Sequence, residues 1–224
     1  MKIALAQINT TVGDIHGNRD RVLEVMEKAN ALGADLAVFP ELCLTGYPPR
    51  DLLGLHGFVE SNLRALHEIA AQSKSMGIVL GFVEQNPGKE GKNFFNSAAF
   101  LAEGKIQAVV HKTLLPTYDV FDEDRYFEPG VEPATFEADG VRVGVAIGYD
   151  LWNDADFWED RRSSLDPVQD LLAQGCNVIV NPTACAWSLG KDKLRRAMMD
   201  TIAREDGVAV LMCNMVGSAD GLIF

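Results

Sequence analysis

Positive charge is scarce in this sequence. Lysine and arginine number 20 against 32 aspartates and glutamates, a formal net charge of −12 over 224 residues. Surfaces that hold nucleic acid or an anionic bilayer need clustered cations, so neither partner is expected. Long apolar runs are missing too: none approaches the roughly 18 residues needed to span a bilayer. The opening MKIALAQINT is one short strand-like run followed by polar residues, without the apolar core of a secretory leader. The four cysteines, Cys43, Cys176, Cys185 and Cys213, show no C-x-x-C spacing, which argues against a structural zinc site. His16, His56, His67 and His111 have no metal-ligand spacing either and are taken as structural or surface residues. Neither glycine-rich phosphate loop, G-x-G-x-x-G or G-x-x-x-x-G-K-S/T, occurs, so nucleotide binding by this chain is unsupported. A cytoplasmic protein with reduced thiols is expected.

What is present is an ordinary globular composition, 47% hydrophobic, long enough to bury a sizeable core. Residues 2–8 alternate like a strand. Val22, Leu23, Val25, Met26 and Ala29 recur at helical spacing within 18–32, and Gly33 follows as a stop. A short apolar run over 35–41 ends in Pro40-Glu41. A second helix is predicted over 58–75 and a strand over 78–85. Two strand pairs follow, 96–102 with 105–112 around Glu103-Gly104, and another around Asp139-Gly140, a strong hairpin signal. A short helix at 166–174, a strand at 177–182, a helix at 191–206 and a strand at 207–214 complete the pattern. Strands alternating with helices, with hairpins in the middle, give an α/β or α+β fold with a mixed sheet in one domain. The sequence ends on Leu222, Ile223 and Phe224, where domain ends are usually polar. It is therefore expected to be cut from something longer.

Three strands end in positions suited to chemistry: AVFPE at Glu41, AVVHK at Lys112 and GVAIGYD at Gly148. Open sheets present sites at the carboxyl ends of neighbouring strands. Read on spacing alone, Glu41 equally suits a loop cap and Lys112 a solvated strand end.

Two segments go further. PELCLTGYPPRDLL (40–53) and KTLLPTYDVFDEDRYFEPG (112–130) resemble the nitrilase superfamily of carbon–nitrogen hydrolases. More narrowly, they resemble the glutaminase domain of glutamine-dependent NAD⁺ synthetases. NSAAFLAEGKI, DLWND, NPTACAW and GKDKLRR fit as well, and the resemblance covers essentially residues 1–224. It implies a four-layer α-β-β-α sandwich. It also implies an amidotransferase chemistry in which a cysteine thiolate attacks the side-chain amide of glutamine, ammonia leaves, and water releases glutamate. Glu41 would take the thiol proton, and Lys112 with a backbone N–H would stabilise the oxyanion. Glu123 matches a recurring second glutamate that would orient Lys112 and the base. The ATP-dependent synthetase domain, which would bring ATP and Mg²⁺, is not part of these residues. No cofactor is implied for the glutaminase domain, and no metal for its site. The implied partners are glutamine, a synthetase domain of the same polypeptide and further copies in a homo-oligomer.

The family's Cys-Glu-Asp segment falls on Gly148, Tyr149 and Asp150. Glycine offers no nucleophile, and Tyr149 replaces the carboxylate that would hold the substrate's α-amino group. Three readings compete. Gly148 is a substitution made to trap substrate, which leaves Tyr149 unexplained. Or the domain has diverged naturally, losing hydrolysis and keeping the scaffold, which the two adjacent changes favour. Or the nucleophile has migrated to Cys185 in NPTACAW, provided that strand neighbours 141–147; a small buried thiol used as packing is the commoner role. Around these, Tyr118 lines a substrate pocket or packs under a loop, Trp152 is core that borders the pocket, and Thr183 offers a hydroxyl or caps the turn after Pro182. Arg125 pairs with Asp122 or Glu123. Two other functions stay open: a non-catalytic scaffold or oligomerisation module, and a hydrolase acting on another amide.

Overall fold

The computed structural model of the protein describes residues 1–160 and 163–224. Five strands, β1 (Ile3–Leu5), β2 (Leu36–Val38), β3 (Gly77–Gln85), β4 (Phe94–Ala102) and β5 (Lys105–His111), lie side by side in chain order. The first three are parallel and the last two antiparallel. Parallel neighbours need a crossover, supplied here by α1 (Ile15–Ala31) and α2 (Phe58–Ala70). A second sheet holds β6 (Thr135–Ala138), β7 (Val141–Val145), β8 (Val178–Thr183) and β9 (Ala209–Asn214). Its β7, β8 and β9 run parallel, with α3 (Pro167–Ala173) and α4 (Lys191–Glu205) as crossovers.

Side-chain alternation sorts the molecule into layers. Ala37, Phe39, Ile78, Leu80 and Phe82 face one way and pack with Val22, Met26, Leu66 and Ile69 of α1 and α2. Their neighbours Leu36, Val38 and Val79 face the other way and meet Val143, Val145 and Val180 of the second sheet. Beyond that sheet, Ala146 and Ile179 pack on Val168 and Leu171 of α3 and Met198 and Ile202 of α4. Strands buried on both faces explain the nearly continuous apolar runs, and the result is the α-β-β-α order implied by the resemblance. Among the described residues no helix is long and apolar enough to cross a membrane.

Several element bounds differ from those the sequence pattern predicts: β3 and β4 begin earlier, while other elements are shorter. The second helix ends at Ala70, not near 75, because Ser73 Oγ turns back onto the Ala70 carbonyl at 2.7 Å. The first strand covers only residues 3–5. Both predicted hairpins form, with left-handed residues at Glu103-Gly104 (φ +55° and +74°) and Asp139-Gly140 (φ +49° and +72°), as two-residue turns between twisted strands require. The apolar end is not loose. β10 (Ser218–Ala219) and β11 (Leu222–Ile223) form a small hairpin, Leu222 is buried, and the Phe224 ring meets that of Tyr47 edge-on at 6.1 Å.

One glycine positions the future site. A side chain at Gly81 of β3 would begin 2.4 Å from the Pro40 carbonyl oxygen and 2.5 Å from the Leu42 nitrogen. The loop bearing Glu41 therefore lies directly on bare backbone, and backbone cannot swing aside. We expect Gly81→Ala to destabilise the protein by roughly 1–3 kcal/mol, as overpacking does, or about 2–12 °C in Tm for a chain of this size. An unchanged melting temperature would show that residues 40–42 shift freely.

Candidate active site

The ends of β2, β5 and β7 converge, as the three strand-end positions suggested. Glu41 follows β2 after Pro40, Lys112 follows β5, and Gly148 opens a 3-10 segment, Gly148–Asn153, just beyond β7. Lys112 is 1% exposed. Its Nζ donates to Glu41 Oε1 at 2.6 Å and to Glu123 Oε1 and Oε2 at 2.8 and 2.7 Å. Glu41 accepts two further bonds, from Asn96 Nδ2 at 2.7 Å and from the Ala184 N–H at 3.0 Å. Glu123 accepts from Tyr47 Oη at 2.8 Å and Asn96 Nδ2 at 3.2 Å. The base and the oxyanion cation expected from the sequence are thus one ion pair. Glu123 bonds Lys112 directly and shares the Asn96 amide with Glu41, whereas the ion pair of Arg125 among the described residues is with Asp122, at 3.8 Å on the surface.

Burial opposes the charge on Lys112, but Glu123 and Glu41 more than offset it and hold the ammonium above the usual lysine range. Burial likewise pushes the Glu123 carboxyl up, against the pull of Lys112 and with the repulsion of Glu41. Tyr47 is pushed well up by burial and then by the two carboxylates, so it stays a phenol that donates. Asn96 and Tyr47 escaped the sequence reading. Asn96 lies beside Ser97 in a largely apolar strand, and an amide in such a strand is the signal that could have found it; Tyr47 stood within the GYPP motif.

Gly148 has φ +51°, a conformation in which L side chains are strained. A Cβ built there would lie 2.6 Å from Glu41 Oε2 and 2.8 Å from Lys112 Nζ. The carboxylate and the ammonium therefore converge on the point where a nucleophile's side chain would start. The space they leave is a cavity of about 30 Å³ lined also by Tyr47, Tyr118, Tyr149, Trp152, Thr183 and Cys185, enough for a few waters. The Tyr118 and Tyr149 rings lie 5.5 Å apart, so an aromatic wall stands where a substrate-binding carboxylate was expected. Lys191 reaches over the Trp152 ring at 5.3 Å. Outside lies a wider opening of about 640 Å³ that shares Tyr118, Tyr149, Trp152 and Lys191.

Because β7 and β8 pair in parallel, Cys185 does reach this cavity. It is 7% exposed, its N–H donates to Asn214 Oδ1 at 2.8 Å, and it packs with Ala146, Leu151 and Met198. Every site residue read from the sequence, Glu41, Lys112, Tyr118, Glu123, Gly148, Tyr149, Trp152, Thr183 and Cys185, lines the one pocket.

With that geometry in hand, comparison with known proteins is decisive. The carbon–nitrogen hydrolase family profile matches residues 2–224. The chain belongs to the carbon–nitrogen hydrolase family. Among this family's members it is similar to the glutamine-dependent NAD(+) synthetase of Synechocystis sp., 42% identical over 99% of this chain but 40% of that protein. The Thermotoga maritima protein of the same name is 36% identical over 100% of this chain and 37% of its own length. The chain thus spans about two fifths of the curated relatives it matches. Among solved structures, the glutamine-dependent NAD+ synthetase of Acinetobacter baumannii superposes with a TM-score of 0.88 at 32% identity, covering 99% of this chain and 39% of that one. An amidase from Nesterenkonia sp. superposes at 0.83 over 100% of this chain and 82% of its own, at 23% identity, which bears on the fold alone; its active site carries a cysteine to which acrylamide adds. In this chain the position facing Glu41 and Lys112 is Gly148.

Removing Lys112 would strand two buried carboxylates. We expect Lys112→Met to cost about 3–5 kcal/mol, as breaking a buried pair does, read as a lower urea midpoint. Lys28→Met, on an exposed helix pair with Glu24, should leave the midpoint near that of the parent. A Lys112→Met protein as stable as the parent would mean that water replaces the ammonium.

Proposed function

We propose that this chain is the glutaminase, or glutamine amidotransferase, domain of a glutamine-dependent NAD⁺ synthetase, and that it has lost hydrolysis while keeping the scaffold. The observation that carries the reading is the convergence of Glu41 and Lys112 on a residue without a side chain. The relatives that match nearly all of this chain are named glutamine-dependent NAD(+) synthetases, which supports the domain assignment. In the ancestral reaction Glu41 takes the proton of a thiol at position 148 and Lys112 stabilises the oxyanion. Ammonia then passes to a synthetase domain that amidates nicotinic acid adenine dinucleotide. ATP and Mg²⁺ belong to that domain. We place the protein in the cytoplasm, as part of a longer polypeptide that assembles as a homo-oligomer.

Two features work against hydrolysis here. Glycine provides no thiol, and removing the nucleophile of a cooperating set costs on the order of 10⁶ in kcat. Tyr149 occupies the position that would have held the substrate's amino group. A second reading rests on Cys185, whose residue shares the cavity with Glu41 and Lys112. In that reading it serves as the nucleophile, toward glutamine or another amide.

Ammonia release from glutamine separates the two. We expect none above background from this chain, and release from a Gly148→Cys/Tyr149→Glu protein. The restored cysteine needs Glu41 and Lys112 to draw back from its Cβ, so activity well below that of an intact glutaminase is expected. Release by the unaltered chain that disappears in Cys185→Ala would overturn the proposal in favour of Cys185.

A further inference from the structure

A second polar cluster lies where the 3-10 segment Gly148–Asn153 and helix α4 both end. Asp154, Asp156 and Asp206 each offer a carboxylate oxygen, and these three atoms all lie within 4.8 Å of one another. Asp154 is fully buried. Its Oδ1 accepts the N–H groups of Asp156 and Phe157 at 3.2 and 3.0 Å, but its buried Oδ2 has no hydrogen-bond partner. Asp206 repeats the pattern: Oδ1 takes a long bond from Gln169 Nε2 at 3.4 Å, and its buried Oδ2 has none.

Among the described residues, no lysine, arginine or histidine forms an ion pair with any of the three. Asp206 also caps the C-terminus of α4, the negative end of the helix dipole, where an anion is disfavoured. Buried polar atoms are almost always paired, and a buried carboxylate oxygen without a donor calls for a cation. Neighbouring Asp166 has its oxygens turned to other groups: it accepts the Gln169 N–H at 3.2 Å and the Ala155 N–H at 3.0 Å.

We propose that Asp154, Asp156 and Asp206 bind a divalent metal ion, and that the ion is Ca²⁺. Carboxylate oxygens are hard donors that suit Ca²⁺ and Mg²⁺ over softer metals. Three oxygens within 4.8 Å of one another fit around one ion with oxygen distances of about 2.3–2.6 Å. Ca²⁺ accepts such an irregular set in a flexible shell, while Mg²⁺ demands near-ideal octahedral geometry. Exposed Asp156 leaves one side open for water to complete the shell. The ion ties the end of the segment carrying Trp152 and Asn153 to the end of α4, and so braces one wall of the wide opening outside the Gly148 pocket. The site is separate from the glutaminase chemistry and independent of it.

The test is a thermal titration of EDTA-treated, dialysed protein with CaCl₂, against MgCl₂ and against NaCl at equal ionic strength. We expect a saturable rise in Tm of a few degrees with CaCl₂, with a midpoint on the order of 10⁻⁴–10⁻³ M, as for an open three-carboxylate site. Calorimetric titration of the folded protein should give one ion per chain. Asp156→Asn, an exposed change that leaves folding intact, and Asp206→Asn should each abolish the Ca²⁺-dependent rise. A response no larger than that to NaCl, or one that persists in both variants, overturns the site. A larger response to MgCl₂ than to CaCl₂ overturns the choice of ion.

Discussion

A lysine ammonium held out of water is the constraint on which this structure turns. An isolated buried charge is too costly to keep, and a paired one is tolerated only when its partners are themselves fully bonded. Lys112 meets both conditions because Glu41 and Glu123 reach it from different segments, and Asn96, Tyr47 and the Ala184 N–H fill the remaining acceptor positions. These groups come from the loop after β2, from β4, from the loop after β5 and from the end of β8. The network therefore fixes four connections at once. Loops that would otherwise be surface excursions are drawn inward, which is why Phe39, Leu42 and Leu44 are completely buried.

On the reading proposed above, that dependence explains how the site can survive the absence of a nucleophile at 148. Taking away Lys112 leaves two uncompensated carboxylates in the core, and taking away Glu41 leaves the buried Ala184 N–H without its acceptor. A residue whose side chain only pointed into the space between them carries no such obligation. With glycine at 148 the carboxylate and the ammonium satisfy one another, and the pocket contracts to a few waters' volume. The aromatic face of Tyr149 and Tyr118 then closes over a pair that is bonded for stability.

Much of this was legible from sequence because period and burial agree. The alternation in β3 and β8 and the 3.6-residue spacing in α1 announce elements buried on both faces or along one stripe. The motifs around Glu41 and Lys112 stood at strand ends, where a mixed sheet presents its chemistry. What stayed hidden depends on contacts between distant segments. Asn96 sits among apolar residues of β4, and no local pattern says that its amide bridges two glutamates. The two-residue strands β10 and β11 are too short for any period, so the packing of Leu222 and Phe224 beside Tyr47 could not be read from the sequence. The Asp154–Asp206 cluster joins two element ends far apart in sequence, whereas metal-ligand spacing can be recognised only when ligands share a helix or a loop. The reading that no metal belongs in the glutaminase site concerned the pocket around Gly148, and this cluster lies outside it.

The segment Gly148–Asn153 is held at three points, none of which uses a side chain at 148. At its start, Asn181 Nδ2 donates to the Gly148 carbonyl at 3.2 Å. In its middle, Asp150 accepts the N–H groups of Thr113, Leu114 and Ile147, which binds the end of β7 to the residues that follow Lys112. Burial pushes the Asp150 carboxyl up to about 7, while those three donors and Lys112 favour its charge. Its protonation thus matters to the joint, and the loss of its acceptor oxygens would leave buried N–H groups unpaired. At its end, Asn153 Nδ2 donates to the Ser163 and Leu165 carbonyls at 2.9 and 2.7 Å. The backbone pinned in this way makes a left-handed turn at 148, and glycine is the residue that adopts that turn without strain. The fold therefore asks for no side chain at 148; on the reading proposed above, only the chemistry did.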